Sequence, residues 1–122
     1  MDILAASDGL TVIIHQSDLE RLTYNSFEKF TTFATNQDQT HALKVHRSKG
    51  FPDAGFREVY RRFGKSYVQV GGGRPAGTDK SIGMELDLVA RAGLGDAGAQ
   101  AVNFELLYKG VPQPNTQVTV FR

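Results

Sequence analysis

The stretch YRRFGKSYVQVGGGRPAG, residues 60–77, sets Gly64, Lys65 and Ser66 shortly before three consecutive glycines. Gly-Lys-Ser closes a phosphate-binding loop, in which backbone N–H groups cradle phosphates and the lysine reaches toward them. The rest of that motif fails. Its first glycine belongs at position 59, where Val59 stands. The other frame, Gly72 to Gly77, is followed by Thr78 and Asp79 instead of lysine. A phosphate loop also leaves a strand and opens a helix, whereas Lys65 and Ser66 run into YVQV, which reads as strand. Lys65 and Ser66 are therefore expected on a strand, with no nucleotide, and the glycines in a freely turning loop.

Other chemistry-bearing residues are sparse. The histidines are His15, His41 and His46. A helical metal pair needs spacing of three or four, which puts both rings on one face. His41 and His46 are five apart, roughly 140° around a helix, so a metal site would have to be gathered by the fold; His15, at a strand end, suits a single contributed ligand. No G-x-S-x-G elbow marks a serine nucleophile. Glu85 and Asp87 lie two apart on a strand, about 7 Å from each other, a separation numerically like a glycosidase carboxylate pair. The plainer expectation is the exposed polar face of an amphipathic strand. Lys44, Arg47, Lys49, Arg57, Arg61, Arg62 and Lys65 crowd one central stretch, opposed only by Asp53 and Glu58. They read as a solvated face or, functionally, an anion-facing patch. The interleaved aromatics of FREVYRRFGKSY fit a nucleic-acid platform, but a net charge of +1 argues against a polyanionic partner.

The elements that must hold these residues are mostly strands. LTVIIH, residues 10–15, reads as a buried strand, and LERLTY, residues 19–24, as a weaker one. Asn25 and Glu28 have capping-box spacing, and Phe27, Phe30 and Ala34 recur at helical intervals, with Phe33 near the same face. This predicts a helix over 26–35. A second helix is expected over 39–48, capped by Asp38, with Ala42 and Val45 or Leu43 inward. One long strand follows over 58–70, bent at Gly64. GMELDLVA alternates Met84, Leu86 and Leu88 on the apolar face against Glu85 and Asp87. AVNFELLY alternates through Val102, Phe104, Leu106 and Tyr108. TQVTVF, residues 116–121, returns as a strand with Val118 and Val120 on one face. The sum is a mainly β chain: a β-sandwich with a short helical insertion near 26–48.

The chain has 122 residues, enough for one domain with a real core; a sub-boundary is expected within 91–100. Hydrophobic residues make up 40% and charged residues 22%, which excludes a disordered chain. Without cysteine there is no disulfide, thiolate metal site or cysteine nucleophile. No apolar run approaches the ~20 residues of a membrane span, and MDILAASDGL lacks the basic and apolar regions of a signal peptide.

NSFEKF, REVYRRFGKSYVQVGG, GMELDLVARAGL and VNFELLYKGVPQPNTQVTVF, in that order over about 20–121, resemble a family of periplasmic bacterial proteins associated with nickel or cobalt uptake. The hallmark run is matched by Arg57, Glu58, Tyr60, Arg62, Lys65, Val70 and Gly71. A later strand is matched by residues 85–89 and a hairpin by residues 106–118. The resemblance implies a non-enzymatic binding or accessory domain in the periplasm, built as an immunoglobulin-like or transthyretin-like sandwich. It also implies nickel or cobalt as the associated metal, and a transporter or other protein as partner. Family members carry an early His-Glu-Phe-like segment, their best metal-ligand candidate, that this sequence lacks, and they continue into further strands; the chain is accordingly expected to be a portion of a longer architecture. An alternative from another class is a structural or interaction module without a small ligand. An unpaired edge near residues 101–121 is expected to make a homodimer, burying Phe104, Leu106, Val118 and Val120.

Overall fold

The computed structural model describes residues 8–72, 77–94, 98 and 100–121. The Gly72–Gly77 frame and the 91–100 connection each lie partly outside them, as does the start of the N-terminal segment. The chain is mainly β, with two helices. It divides into two compact units, residues 1–17 with 62–114, and residues 18–61 with 115–122.

In the first unit, β1 (Gly9–Gln16) pairs antiparallel with β4 (Phe63–Val70), His15 lying opposite Gly64. Strand β1 is half-buried, not buried as expected, and Ile14 is exposed, because β4 is its one strand neighbour among the described residues. A second sheet runs β5 (Leu86–Ala92), β6 (Asn103–Tyr108), β7 (Val111–Pro112), all antiparallel. Its register slips between Ala90 and Ala92. Just beyond, Gly93 has φ +81, and a Cβ there would strike the Ala101 carbonyl. That close approach requires glycine.

The phases of β5 and β6 are the reverse of those expected. Asp87 and Val89 are fully buried and Leu107 nearly so, whereas Leu86, Phe104 and Tyr108 are 40–49% exposed. The physical reason is that Asp87 goes inward to meet a cation, described below, and its neighbours must alternate around it. The hairpin also differs. Residue 108 turns through Lys109 and Gly110, both at positive φ, into the two-residue β7, so the return strand is 111–112. Residues 116–121 form no strand, and Val118, Val120 and Phe121 are exposed.

In the second unit, β2 (Glu20–Tyr24) pairs antiparallel with β3 (Phe56–Tyr60). Between them lie α1 (Phe27–Asn36) and α2 (His41–Ser48). Ser26, not Asn25, caps α1, accepting from the Lys29 N–H at 3.3 Å. Thr40 occupies the cap position of α2 without a side-chain bond, while Asp38 takes a left-handed turn (φ 54) two residues before it. The expected strand over 58–70 is two strands, broken at Arg61 and Arg62. The Arg62 N–H donates to Ser17 Oγ and its carbonyl accepts from the Ser17 N–H, in place of a continuing ladder.

Candidate functional site

The resemblance run Arg57, Glu58, Tyr60, Arg62, Lys65 is divided between the two units. Its most unusual member is Lys65. On β4, Phe63, Lys65 and Tyr67 alternate with Ser66 and Val68, and the inward row carries a charge. The Lys65 side chain is 4% exposed. Its Nζ lies 2.6 Å from Asp87 Oδ1 and 3.2 Å from both carboxylate oxygens of Asp79. The two carboxylates are essentially sealed from solvent. Two buried anions thus share one buried cation.

The second partners of the two aspartates differ. Asp79 is saturated with donors: the Ala90 N–H at 2.9 Å, its neighbour Lys80 N–H at 2.8 Å and the Tyr67 hydroxyl at 2.8 Å. It therefore caps a backbone donor of β5 as a neighbouring strand would. Burial alone pushes its carboxyl up, but the Ala90 N–H, the Tyr67 hydroxyl and the Lys65 ammonium outweigh it and hold Asp79 below the usual carboxylate range. Burial, then the bond to Asp79, drives the Tyr67 phenol well above its ordinary value. Asp87 is less well supplied. Its Oδ2 accepts from the Ile82 N–H at 3.0 Å and the Ser81 hydroxyl at 3.2 Å. Its Oδ1 has Lys65 as a charge partner but no hydrogen bond of sound geometry.

Glu85 and Asp87 are consequently not an exposed pair. Asp87 is buried, while Glu85 is partly exposed and takes the Lys109 ammonium at 3.4 Å and the Tyr108 hydroxyl at 3.3 Å. The basic stretch disperses as well. Lys65 is internal, Arg47 pairs with Asp53 and sits 3.7 Å over the Phe27 ring, and Lys49 lies near Phe51.

The other unit contains an aromatic cluster. Tyr24 is 5% exposed, with ring centroids 5.1 Å from Phe30 and 5.3 Å from Phe56. Its hydroxyl donates to Glu58 Oε2 at 2.7 Å. Burial and that carboxylate raise the phenol far above its usual range. His46 is buried among Phe27, Phe30, Phe51 and Phe56, its Nε2 2.8 Å from the Pro52 carbonyl oxygen. Against this cluster lies a concave space of about 580 Å³, walled by Tyr24, Phe30, Phe33, Val45, Phe51 and Phe56, with His41, Arg57 and Glu58 as polar lining.

Among the described residues, the histidines join no ion-holding set. His15 is the penultimate residue of β1, His41 begins α2, and the His46 ring is locked between aromatics with Nε2 engaged. Among the described residues, no three His, Asp or Glu side chains converge to hold an ion. Nor is any described helix long and apolar enough to cross a membrane. No family model, curated protein or solved structure matches the chain.

Sequence reasoning missed Asp79 and Tyr67 and misplaced Asp87. One local signal existed: Lys65 and Tyr67 stand two apart on a strand whose inward row begins at Phe63, a place where a lysine requires a buried counter-charge.

Proposed function

We propose that the chain is a non-enzymatic binding or accessory domain whose ligand-facing element is the aromatic pocket of residues 18–61. The pocket itself carries this reading. Its volume falls within the range of small-molecule sites, and its wall is mainly apolar with few polar groups, the arrangement that seats an apolar body and orients a polar end. Association with nickel or cobalt uptake at the periplasmic side comes through the resemblance in residues 57–71 and 106–118. Since the described residues provide no ion-binding set, the ligand in this reading is organic instead of a bare ion. The two sheets of the first unit, facing each other across Lys65, are read as the layers of a small sandwich.

N-phenylnaphthylamine, a neutral aromatic fluorophore, tests the pocket. Saturable binding with enhanced emission is expected, weakened at least roughly tenfold, about 1.4 kcal/mol, by Val45→Arg. Val45 is 45% exposed, so that change should leave the fold intact. Absence of saturable binding, or binding indifferent to Val45→Arg, rejects the proposal.

The second reading, an interaction module that pairs with its own copy, is favoured by the outer face of the β5–β6 sheet. There Leu86 stands opposite Tyr108 and Leu88 opposite Leu106, and Leu86, Phe104 and Tyr108 are exposed. Strand β7 pairs with Leu107 and Tyr108 alone, which leaves most of that side of β6 without a strand neighbour among the described residues. A dimer through this edge would bury at least ~1,000 Å². Light scattering at micromolar concentration should then give twice the chain mass, reverting to one on Phe104→Glu. A strict monomer removes this reading.

A further inference from the structure

We propose that Lys65 and Asp87 join in an intramolecular amide bond, formed by the folded chain without a co-reactant, with Asp79 as the base that moves the protons. The two reacting groups already touch. Nζ is 2.6 Å from Asp87 Oδ1, close enough to pass a proton to it, and Oδ1 is bonded directly to Cγ, the carbon the nitrogen must reach, so the two partners are held together as in an intramolecular reaction. Water, which in bulk opposes condensation, is excluded: the lysine is 4% exposed, Asp79 1% and Asp87 0%.

The step balances within the cluster. A proton passes from the Nζ ammonium to Asp87 Oδ1. The freed lone pair on Nζ attacks Cγ, and negative charge gathers on Oδ2. That oxygen already accepts from the Ile82 N–H and the Ser81 hydroxyl, donors fixed before charge develops, as in an oxyanion hole. Asp79, two of whose oxygens lie 3.2 Å from Nζ, takes a second proton from nitrogen and delivers it to Oδ1. Oδ1 leaves as water while the Cγ–Oδ2 double bond re-forms. Ammonium plus carboxylate has become amide plus water, with nothing oxidised or reduced. Asp79 ends ionised as it began, so the cluster carries one negative charge throughout.

The two aspartates are equipped unequally for these roles. Asp79 has a full set of donors that favours its anion, so it gives up the proton it has taken and returns to a carboxylate. Asp87 holds one oxygen firmly and leaves the other without a hydrogen bond. The poorly served oxygen is the one that departs. Condensation also removes two of three buried charges, a costly arrangement for an interior to maintain, and leaves a neutral amide.

Intact mass of the purified full-length protein, measured after denaturation, is the test. The wild type should weigh one water less than its sequence. Its tryptic digest should contain peptide 63–80 joined to peptide 81–91. Lys65→Arg and Asp87→Ala should have full sequence mass, and Asp79→Asn should lose most or all of the link. Asp87→Asn retains a leaving group and should lose ammonia, reaching the same mass as the closed wild type. Loss of water at Asp8-Gly9 through a cyclic imide would mimic the first result, but it would persist in Lys65→Arg and give no branched peptide. Wild-type protein at full sequence mass after prolonged incubation in the folded state, or water loss that survives Lys65→Arg, overturns the proposal.

Discussion

Lys65→Met is expected to destabilise the protein by about 3–5 kcal/mol, the effect of removing one partner from a buried ionic group. Methionine fills the lysine's space without its charge or its nitrogen, so the loss contains an electrostatic part and whatever an amide link contributes, but little from packing. Asp79 and Asp87 are then left facing each other in a region closed to solvent. Their other donors, five in number between them, were arranged around a cluster that held a cation. Against a total stability of ordinarily 5–15 kcal/mol, the change should be plain in urea unfolding followed by circular dichroism. A cost under about 1 kcal/mol would show that Lys65 is not the internal counter-charge.

A triple variant, Lys65→Met with Asp79→Asn and Asp87→Leu, separates two contributions. Replacing a whole buried ionic group by apolar or neutral side chains is often neutral or stabilising. The triple variant should recover most of the electrostatic loss. It cannot recover an amide link. Closing the segment between Lys65 and Asp87 restricts the unfolded chain as a disulfide does, worth roughly 3 kcal/mol for a loop of this order. A triple variant as stable as wild type means that the link contributes little; a residual deficit near 3 kcal/mol is what the link predicts.

The placement of Lys65 also shows where sequence reading succeeded and where it did not. Helices α1 and α2 and strands β1, β2 and β6 stand close to their expected positions, because periodicity and turn residues are local properties. The faces of β5 and β6 are not local. In MELDLVA both alternations contain apolar residues, and the conventional choice puts Asp87 outside. Only a cation from β4 and a loop carrying Asp79 reverse that choice. Those partners lie 22 and 8 positions away along the chain (87 less 65, and 87 less 79), and no period connects them. The split between Tyr60 and Phe63 has the same character, since it depends on Ser17 taking the Arg62 hydrogen bonds. At the other end, Val118 and Val120 alternate like a strand, but alternation cannot supply a partner strand, and none pairs with them among the described residues. The aromatic pocket was half legible: the Phe27, Phe30 and Phe33 stripe was visible as a helix face, but Tyr24, Phe51 and Phe56 join it only once β2 and β3 pair.

Tyr24 should carry the stability of the aromatic unit through its ring more than through its hydroxyl. Tyr24→Ala is expected to cost about 3–5 kcal/mol, the usual range for truncating a buried aromatic. Its ring is 5% exposed and touches Phe30, Phe33 and Phe56, from α1 and from β3. Removing it unfastens the helix from the ribbon on which it packs. Tyr24→Phe keeps those contacts and removes only the donor to Glu58 Oε2. That oxygen is part-buried, and leaving such an acceptor short of a partner costs about 1–3 kcal/mol. Water that reaches Glu58 through the open pocket should hold the value at the low end, near 1 kcal/mol. The pair of variants thus has an expected order and gap. Equal losses would mean that the hydroxyl, not the ring, joins the strand pair to the helices. Probe binding provides an independent reading of the same geometry. Tyr24→Phe leaves the pocket wall in place and should retain N-phenylnaphthylamine binding, while Tyr24→Ala removes the wall between Phe30 and Phe56 and should abolish it even at temperatures where the variant remains folded.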